Sequence, residues 1–278
     1  MAERPDLEYL VPILHERLQG QSITAVTVQK PIVLRVAVAG DAKVLLTGQT
    51  FASVERRAHF MLFSFADPAL QMVVSPMLAG RFLFGDKKLP RDTAMTFQLA
   101  NGEVLVYRDD VQMGKVYIIE RGAFRLVPGL EKIGIDVLSK EFTPAAFLAI
   151  AKKRRDQVRV FLMDKSALDA FGNAYADEAL WEAGIHPKTM VNKLSPEELE
   201  RLHSAIVSVM QGAVETVKSR APPLDEKLRD FLKVRNRHGE VCPRCGGKIR
   251  RAGVHGHDTF FCPTCQPETR KTGIVSWK

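Results

Sequence analysis

The chain has 278 residues, of which 46% are hydrophobic and 26% charged, a composition typical of a globular protein with one large or two ordinary domains. No run approaches the roughly 18 apolar residues of a membrane span, and the opening MAERPDLEYL lacks the apolar stretch of a secretory signal. The sequence therefore predicts an unexported, cytoplasmic protein without a membrane partner.

Basic residues are concentrated towards the C-terminus. The formal net charge is +8, and the residues from Ala221 onward hold 12 basic against 6 acidic side chains. A basic segment on a nearly neutral body favours a polyanionic partner. A surface that only promotes solubility is an equally consistent explanation of this charge.

The first half of the chain predicts a β-rich domain behind one helix. Apolar residues at spacings of three and four predict a helix over residues 6–18. Short runs of β-branched and aromatic residues, separated by turn-like stretches, follow from Ser22 to about Ile119. Six or more strands at that spacing indicate an antiparallel sandwich or barrel.

The second half predicts helices and a linker. Helical spacing of apolar residues continues from Pro128 to about Lys218, and Ser195 with Glu198 forms a capping-box pattern at the start of one helix. Ala221 and the two prolines after it end the helical part, and a polar link leads to the C-terminal segment.

All four cysteines lie in that last segment, as two C-x2-C pairs separated by sixteen residues: Cys242, Cys245, Cys262 and Cys265. This spacing is typical of a zinc ribbon that holds one structural Zn²⁺ with four thiolates and folds only with the metal. Disulfides are the alternative, which an unexported chain disfavours. Four protein sulfurs leave no open position for a catalytic metal.

The segment from Leu162 to Pro187, with its GNAYADE run, and the CPRCG and CPTCQ knuckles together resemble the formamidopyrimidine-DNA glycosylase / endonuclease VIII family of base-excision repair enzymes. The resemblance implies an α+β fold: an N-terminal helix with an antiparallel β-sandwich, a helical helix–two-turn–helix domain and a C-terminal zinc ribbon. The expected domains are residues 1–125, 126–222 and 223–278, and the partner is damaged double-stranded DNA.

The resemblance also implies a chemistry at the processed N-terminus. In the family an N-terminal proline attacks C1′ of the damaged nucleotide, expels the base and forms a Schiff base, and elimination then nicks the strand. Here Ala2 stands in place of that proline, Glu3 is kept as the acid/base, and Asp6 replaces a second glutamate. These three are the candidate catalytic residues. A free amine at Ala2 requires removal of Met1.

Four positions match the family's phosphate-binding residues. Only Asn173 is unchanged, whereas His59 replaces a lysine, Ser75 a histidine and His257 an arginine. A neutral histidine donates one hydrogen bond and carries charge only at lower pH. The resemblance therefore implies a weaker grip on phosphate.

Three further positions match residues that fill the gap left by an everted base. Leu78 and Met113 stay apolar wedges, while Val111 replaces an arginine and cannot hydrogen-bond an orphaned base. Poor or altered discrimination of the opposite base is expected. The family's lesion-capping loop corresponds to about residues 212–235.

The leading hypothesis is a bifunctional DNA glycosylase/AP lyase that acts as a monomer at the bacterial nucleoid, with strand cleavage slowed by Ala2. A non-catalytic damaged-DNA-binding member of the fold is the first alternative, and a zinc-ribbon protein bound to RNA or the ribosome is the second. Glu3 favours the enzyme, because a pure binder needs no carboxylate beside residue 2.

Overall fold

The computed structural model of the protein describes residues 3–85, 89–169 and 171–268. They divide into two compact units, one within 1–133 and 213–228 and the other within 134–212 and 229–278. We call them the β unit and the helix–ribbon unit. Neither is contiguous in sequence, and the domain boundaries at 125 and 222 stay predictions.

Among the described residues, two α-helices and nine strands lie wholly within the β unit. They are α1 (Arg4–Leu18), β1 (Ile23–Val28), β2 (Leu34–Val36), α2 (Ala42–Leu46), β3 (Phe51–Arg57), β4 (Phe60–Phe65), β5 (Leu70–Ser75), β6 (Arg81–Gly85), β7 (Thr93–Leu99), β8 (Val104–Arg108) and β9 (Lys115–Glu120). One sheet has the order β1-β7-β8-β6 and the other β2-β9-β5-β4-β3. All of these pairings are antiparallel except β2 with β9, which is parallel.

The core of the β unit lies between the two sheets. Phe82 and Phe97 of the first sheet, Phe51 and Phe63 of the second and Leu7 of α1 belong to one buried cluster. Strand β4 is buried at every position, because its other face packs on the segment that holds Val127 and Leu130. The apolar runs therefore form a sandwich with a helix against it, as the sequence predicts.

The helix–ribbon unit contains short helices, two small sheets and the start of one long helix. Its elements are β10 (Ile135–Asp136), α3 (Pro144–Ala151), α4 (Val158–Met163), β11 (Leu168–Asp169), α5 (Asn173–Ala183), α6 (Pro196–Arg220), β12 (Arg250–Val254) and β13 (His257–Phe261). The predicted capping box of α6 is confirmed: the Glu198 amide donates to Ser195 Oγ at 3.2 Å, and the Ser195 amide donates to Glu198 Oε2 at 2.8 Å. Residues of α6 from Ala213 onward belong to the β unit.

The predicted α+β class, with its sandwich, helical region and ribbon, is confirmed. Among the described residues, none of the helices has the length and apolar character that crossing a bilayer requires.

Candidate active site and nucleic-acid interface

The four cysteines converge as the spacing predicts. Their Sγ atoms all lie within 4.8 Å of one another. The closest pairs, Cys245 with Cys262 at 3.4 Å and Cys242 with Cys265 at 3.8 Å, are much longer than the ~2.05 Å of a disulfide bond. The cluster is therefore a set of free thiols arranged for a tetrahedral metal.

The surroundings of the cluster suit thiolate ligands. The Trp181 indole N–H donates to Cys242 Sγ at 3.4 Å, and the Gly247 amide donates to Cys245 Sγ at 3.4 Å. Burial raises the pKa of the Cys242 thiol, but hydrogen bonds from the Arg244 and Cys245 amides, the Trp181 indole and Cys262 lower the pKa to about 6. Burial and the neighbouring sulfurs raise the pKa of Cys262 and Cys265. Because Zn²⁺ binds thiolates, the donor set fits one structural zinc.

Glu3 lies at the N-terminus of α1, directly after Ala2. It is the N-cap residue and only 2% exposed. A capping box joins it to Asp6: the Glu3 side chain accepts the Asp6 amide, and the Glu3 amide donates to Asp6 Oδ2 at 2.8 Å. Since the Glu3 amide belongs to the peptide bond that follows Ala2, Asp6 holds the backbone next to the predicted nucleophile. Ala2 itself lies outside the described residues.

The loop between β8 and β9 carries Val111 and Met113, both exposed. Buried Asp109 shapes this loop, because its carboxylate accepts the Gln112 amide at 2.8 Å and the Gly114 amide at 2.7 Å. The Lys115 ammonium caps it by donating to the carbonyls of residues 112, 113 and 114. The two apolar side chains therefore project from a braced loop.

Leu78 projects from the loop between β5 and β6 and is also exposed. The loop closes through a hydrogen bond from the Gly80 amide to the Pro76 carbonyl at 2.7 Å, and the Lys227 ammonium donates to the Leu78 carbonyl at 2.7 Å. Lys227 lies in the predicted lesion-capping segment. That segment is thus hydrogen-bonded to the loop that carries the predicted wedge.

A second interaction fixes the capping segment within the β unit. Arg108, at the end of β8, donates to Asp92 at 2.9 Å and to Asp225 at 2.6 Å. Hydrogen bonds to these two carboxylates raise the pKa of Arg108. The Tyr9 hydroxyl adds a hydrogen bond to the Pro222 carbonyl at 2.9 Å.

Two predicted phosphate-binding residues lie in the β unit. His59 is half-buried in the turn between β3 and β4, where its ring packs on Phe60 at 4.2 Å between centroids. Ser75 ends β5 and is only 5% exposed. Their contacts with DNA stay predictions.

The other two lie in the helix–ribbon unit. Asn173 is the first residue of α5, and exposed His257 begins β13 after a two-residue turn in which His255 and Gly256 both have positive φ. The guanidinium of Arg159 donates to Asn173 Oδ1 at 2.9 Å and to the Asp258 carbonyl at 2.8 Å. Strands β12 and β13 pair antiparallel and form what we call the ribbon hairpin. One buried side chain therefore joins the start of α5 to this hairpin.

Next to this junction is a pocket of about 300 Å³ whose polar lining includes Arg154, Arg159, His255 and His257. Asp164 belongs to the same lining. Arg154 is paired with Asp164 at 2.7 Å and Arg159 with Asp177 at 3.0 Å, so both arginines of the pocket are already neutralised by carboxylates.

Sequence reasoning missed the buried ion cluster around Asp177. Its carboxylate accepts from Arg159 at 3.0 Å, from Arg235 at 2.8 Å and from the Thr259 hydroxyl at 2.6 Å. The sequence offered one signal of this cluster, the charged Arg159 inside the otherwise apolar VRVFLM helix. The partners of Asp177 are far away in the sequence, so no local pattern predicts them.

Comparison with known proteins agrees with this arrangement. Three family models match: the formamidopyrimidine-DNA glycosylase N-terminal domain over residues 1–116, its H2TH domain over 133–222, and the zinc finger found in FPG and IleRS over 239–267. Formamidopyrimidine-DNA glycosylases of Cytobacillus firmus and Brevibacillus brevis are each 34% identical, over 96% of this chain and 100% and 99% of theirs.

Solved structures give the same result. The complex between the Lactococcus lactis Fpg and an abasic-site-containing DNA matches with a TM-score of 0.84 and 28% identity, over 96% of this chain and 100% of that one. A complex of the wild-type enzyme with N7-benzyl-Fapy-dG-containing DNA matches equally well. With the ribbon cysteines, the helix–two-turn–helix motif and the sandwich all in place, the chain belongs to the formamidopyrimidine-DNA glycosylase family.

Proposed function

We propose that the chain is a DNA glycosylase of base excision repair that uses the α-amine of Ala2 as nucleophile and also nicks the strand as an AP lyase. The observation that carries the proposal is Glu3, a carboxylate buried at the N-cap of α1, one residue from that amine. The named relatives are glycosylases along the full chain, which favours an enzyme over a non-catalytic binder.

The reaction begins with attack of the neutral α-amine on C1′ of the damaged nucleotide. The C1′–N bond to the base then breaks. Glu3 acts as the acid/base that donates and accepts the protons needed for departure of the base and opening of the sugar. An α-amine is suited to this step, because its ordinary pKa of about 7.7–8.0 leaves far more neutral amine at pH 7 than a lysine near ~10.4.

Strand cleavage depends on the imine that follows. An imine of alanine can lose its proton, whereas the iminium of proline is permanently charged and withdraws electrons more strongly. Elimination at the adjacent carbon, which expels the 3′ phosphate, is therefore slower with Ala2. Asp6 keeps the backbone after Ala2 in place through its bond to the Glu3 amide.

Borohydride trapping tests the proposal. The protein is incubated with duplex DNA that carries an abasic site or an oxidised purine, and reduction of the imine fixes a covalent complex. Glu3→Gln is expected to lower the trapping rate by about 100-fold or more, the usual size of an acid–base contribution. Glutamine keeps an oxygen for the capping box, so the fold of α1 is preserved.

Two N-terminal variants complete the experiment. Ala2→Pro is expected to speed nicking, since it restores the permanent iminium, and an extension before Ala2 is expected to abolish trapping. A wild-type protein that binds the duplex but never crosslinks would contradict the proposal, as would mass spectrometry that finds Met1 retained. A cytoplasmic monomer that meets damaged duplex at the nucleoid is part of the same proposal.

A further inference from the structure

Arg159 lies on α4 with its side chain 1% exposed, yet its guanidinium contacts two other elements, α5 and the ribbon hairpin. Its Nε donates to Asp177 Oδ1 at 3.0 Å. Its Nη2 donates to Asn173 Oδ1 at 2.9 Å and to the Asp258 carbonyl at 2.8 Å. The guanidinium thus connects α4, the start of α5 and the ribbon hairpin inside one unit.

The bond to Asn173 fixes the direction of its amide. A guanidinium has only donors, so the atom of the carboxamide that faces it must be the oxygen. The Asn173 NH₂ group then points the other way, and it has no acceptor among the residues that the structure describes. Asn173 is half-buried, and its Nδ2 is not among the described buried polar atoms that lack a partner, so this donor reaches solvent at the N-terminus of α5, where an anion is favoured.

We infer that Arg159 is a positioning residue for DNA binding: it orients the Asn173 amide so that Nδ2 donates to a DNA phosphate. The inference rests on the proposed function, because it takes Asn173 as a phosphate contact. Without Arg159 the amide could turn its oxygen outward, and that oxygen would face a negatively charged phosphate.

Arg235 provides a matched control. Its Nη1 donates to Asp177 Oδ2 at 2.8 Å and to the Asp258 carbonyl at 2.9 Å, two of the three residues that Arg159 contacts. It makes no bond to Asn173. A lysine at either position keeps the positive charge beside Asp177 but loses the planar guanidinium, whose N–H groups donate to several partners at once. Only the change at Arg159 releases the amide of Asn173.

The experiment compares Arg159→Lys, Arg235→Lys, Asn173→Ala and the double variant Arg159→Lys/Asn173→Ala. Fluorescence anisotropy measures their affinity for a duplex with a tetrahydrofuran abasic-site analogue, and thermal denaturation measures stability. Asn173→Ala is expected to weaken binding by about tenfold, the effect of losing one hydrogen bond to a charged group. Arg159→Lys should weaken binding by a similar factor.

Two results separate positioning from a purely structural role. The double variant should bind as well as Asn173→Ala alone, because the two residues act through one contact. Arg235→Lys should lower the thermal midpoint as Arg159→Lys does, yet bind DNA like the wild type. Full additivity in the double variant, or equal losses of affinity for the two lysine variants, would overturn the inference and leave the role of Asn173 intact.

If Asn173 does not contact a phosphate, the experiment gives a different result. Asn173→Ala would then bind DNA as tightly as the wild type, which would contradict both the phosphate contact and this inference. Borohydride trapping would still test the glycosylase chemistry separately.

If Arg159→Lys does not fold, NMR of the wild-type protein labelled with ¹⁵N-asparagine replaces that variant. DNA should shift the Asn173 side-chain N–H signals, identified by their loss in Asn173→Ala, and unshifted signals would overturn the inference.

Discussion

Individual side chains in this protein combine structural and chemical roles. Glu3 caps α1 and is the predicted acid/base, so its carboxyl is fixed by the helix start rather than carried on a free chain end. Val111 represents the opposite case. It is 52% exposed on a braced loop. We therefore expect a change there to act on DNA binding rather than on the fold.

Val111→Arg is accordingly expected to raise discrimination of the base opposite the lesion. An arginine can hydrogen-bond the orphaned base, and one such contact is worth about 1–3 kcal/mol, or roughly tenfold in preference. The measurement is single-turnover excision of an oxidised guanine paired with cytosine or with adenine. Val111→Met is the control for added bulk. An unchanged ratio in the arginine variant would count against a role for position 111 beside the orphaned base.

At the scale of elements, the loops that carry the predicted wedges depend on close packing against β8. Tyr107 of β8 is fully buried, and a Cβ at Gly114 would lie 2.0 Å from its hydroxyl oxygen and 2.7 Å from Asp109 Oδ2. A Cβ at Gly80 would lie 2.5 Å from the same hydroxyl. Burial and the charge of Asp109 raise the pKa of Tyr107, so the hydroxyl stays neutral. Both loops need glycine at that point because Tyr107 fills the space.

Gly114→Ala is therefore expected to destabilise the protein by about 1–3 kcal/mol, the usual cost of overpacking a core. Urea denaturation measures the change. Gly212→Ala is the control. Gly212 lies exposed in α6, and beyond the neighbouring backbone of that helix nothing lies within 4 Å of an added Cβ, so the variant should gain about 0.5–1 kcal/mol from helix propensity. Equal stability of the two variants would contradict this account of Gly114.

At the scale of the whole molecule, we expect metal binding and folding to be coupled. Cys242 and Cys262 share a buried cluster with Trp181 of α5, Val234 and Phe260, so loss of zinc should expose a surface of the helix–two-turn–helix region as well as the ribbon. Glu178, next to Asp177 on α5, accepts the amides of residues 233, 234 and 235. Ribbon, linker and helix therefore depend on one another within this unit.

Removal of zinc by a chelator is expected to shift the fluorescence of Trp181 to longer wavelength, because this indole is 7% exposed and donates to Cys242 Sγ. DNA affinity should fall over the same range of chelator concentration as the fluorescence shifts. Added zinc should restore both the fluorescence and the affinity. Trp181→Phe identifies the signal, since Trp277 is the other tryptophan. Full DNA binding by a Cys245→Ser protein would contradict the role given to the ribbon.

The sequence by itself determined the features that depend on local spacing. Two C-x2-C pairs predict four converging sulfurs, the Ser195 and Glu198 pattern predicts a helix start, and GNAYADE places Asn173 at the first residue of α5. Each of these is a short-range relation between residue type and backbone geometry, so it can be recognised without knowing the rest of the fold.

Only the tertiary structure decided which distant residues meet. Arg159 contacts Asn173 and Asp258, β2 pairs parallel with β9, and residues 213–228 belong to the β unit although they follow the helical region. Burial of both faces of β4 likewise depends on a segment some sixty residues later. Such contacts arise from packing and from pairing buried charges, which act between residues that are near in space whatever their separation along the chain.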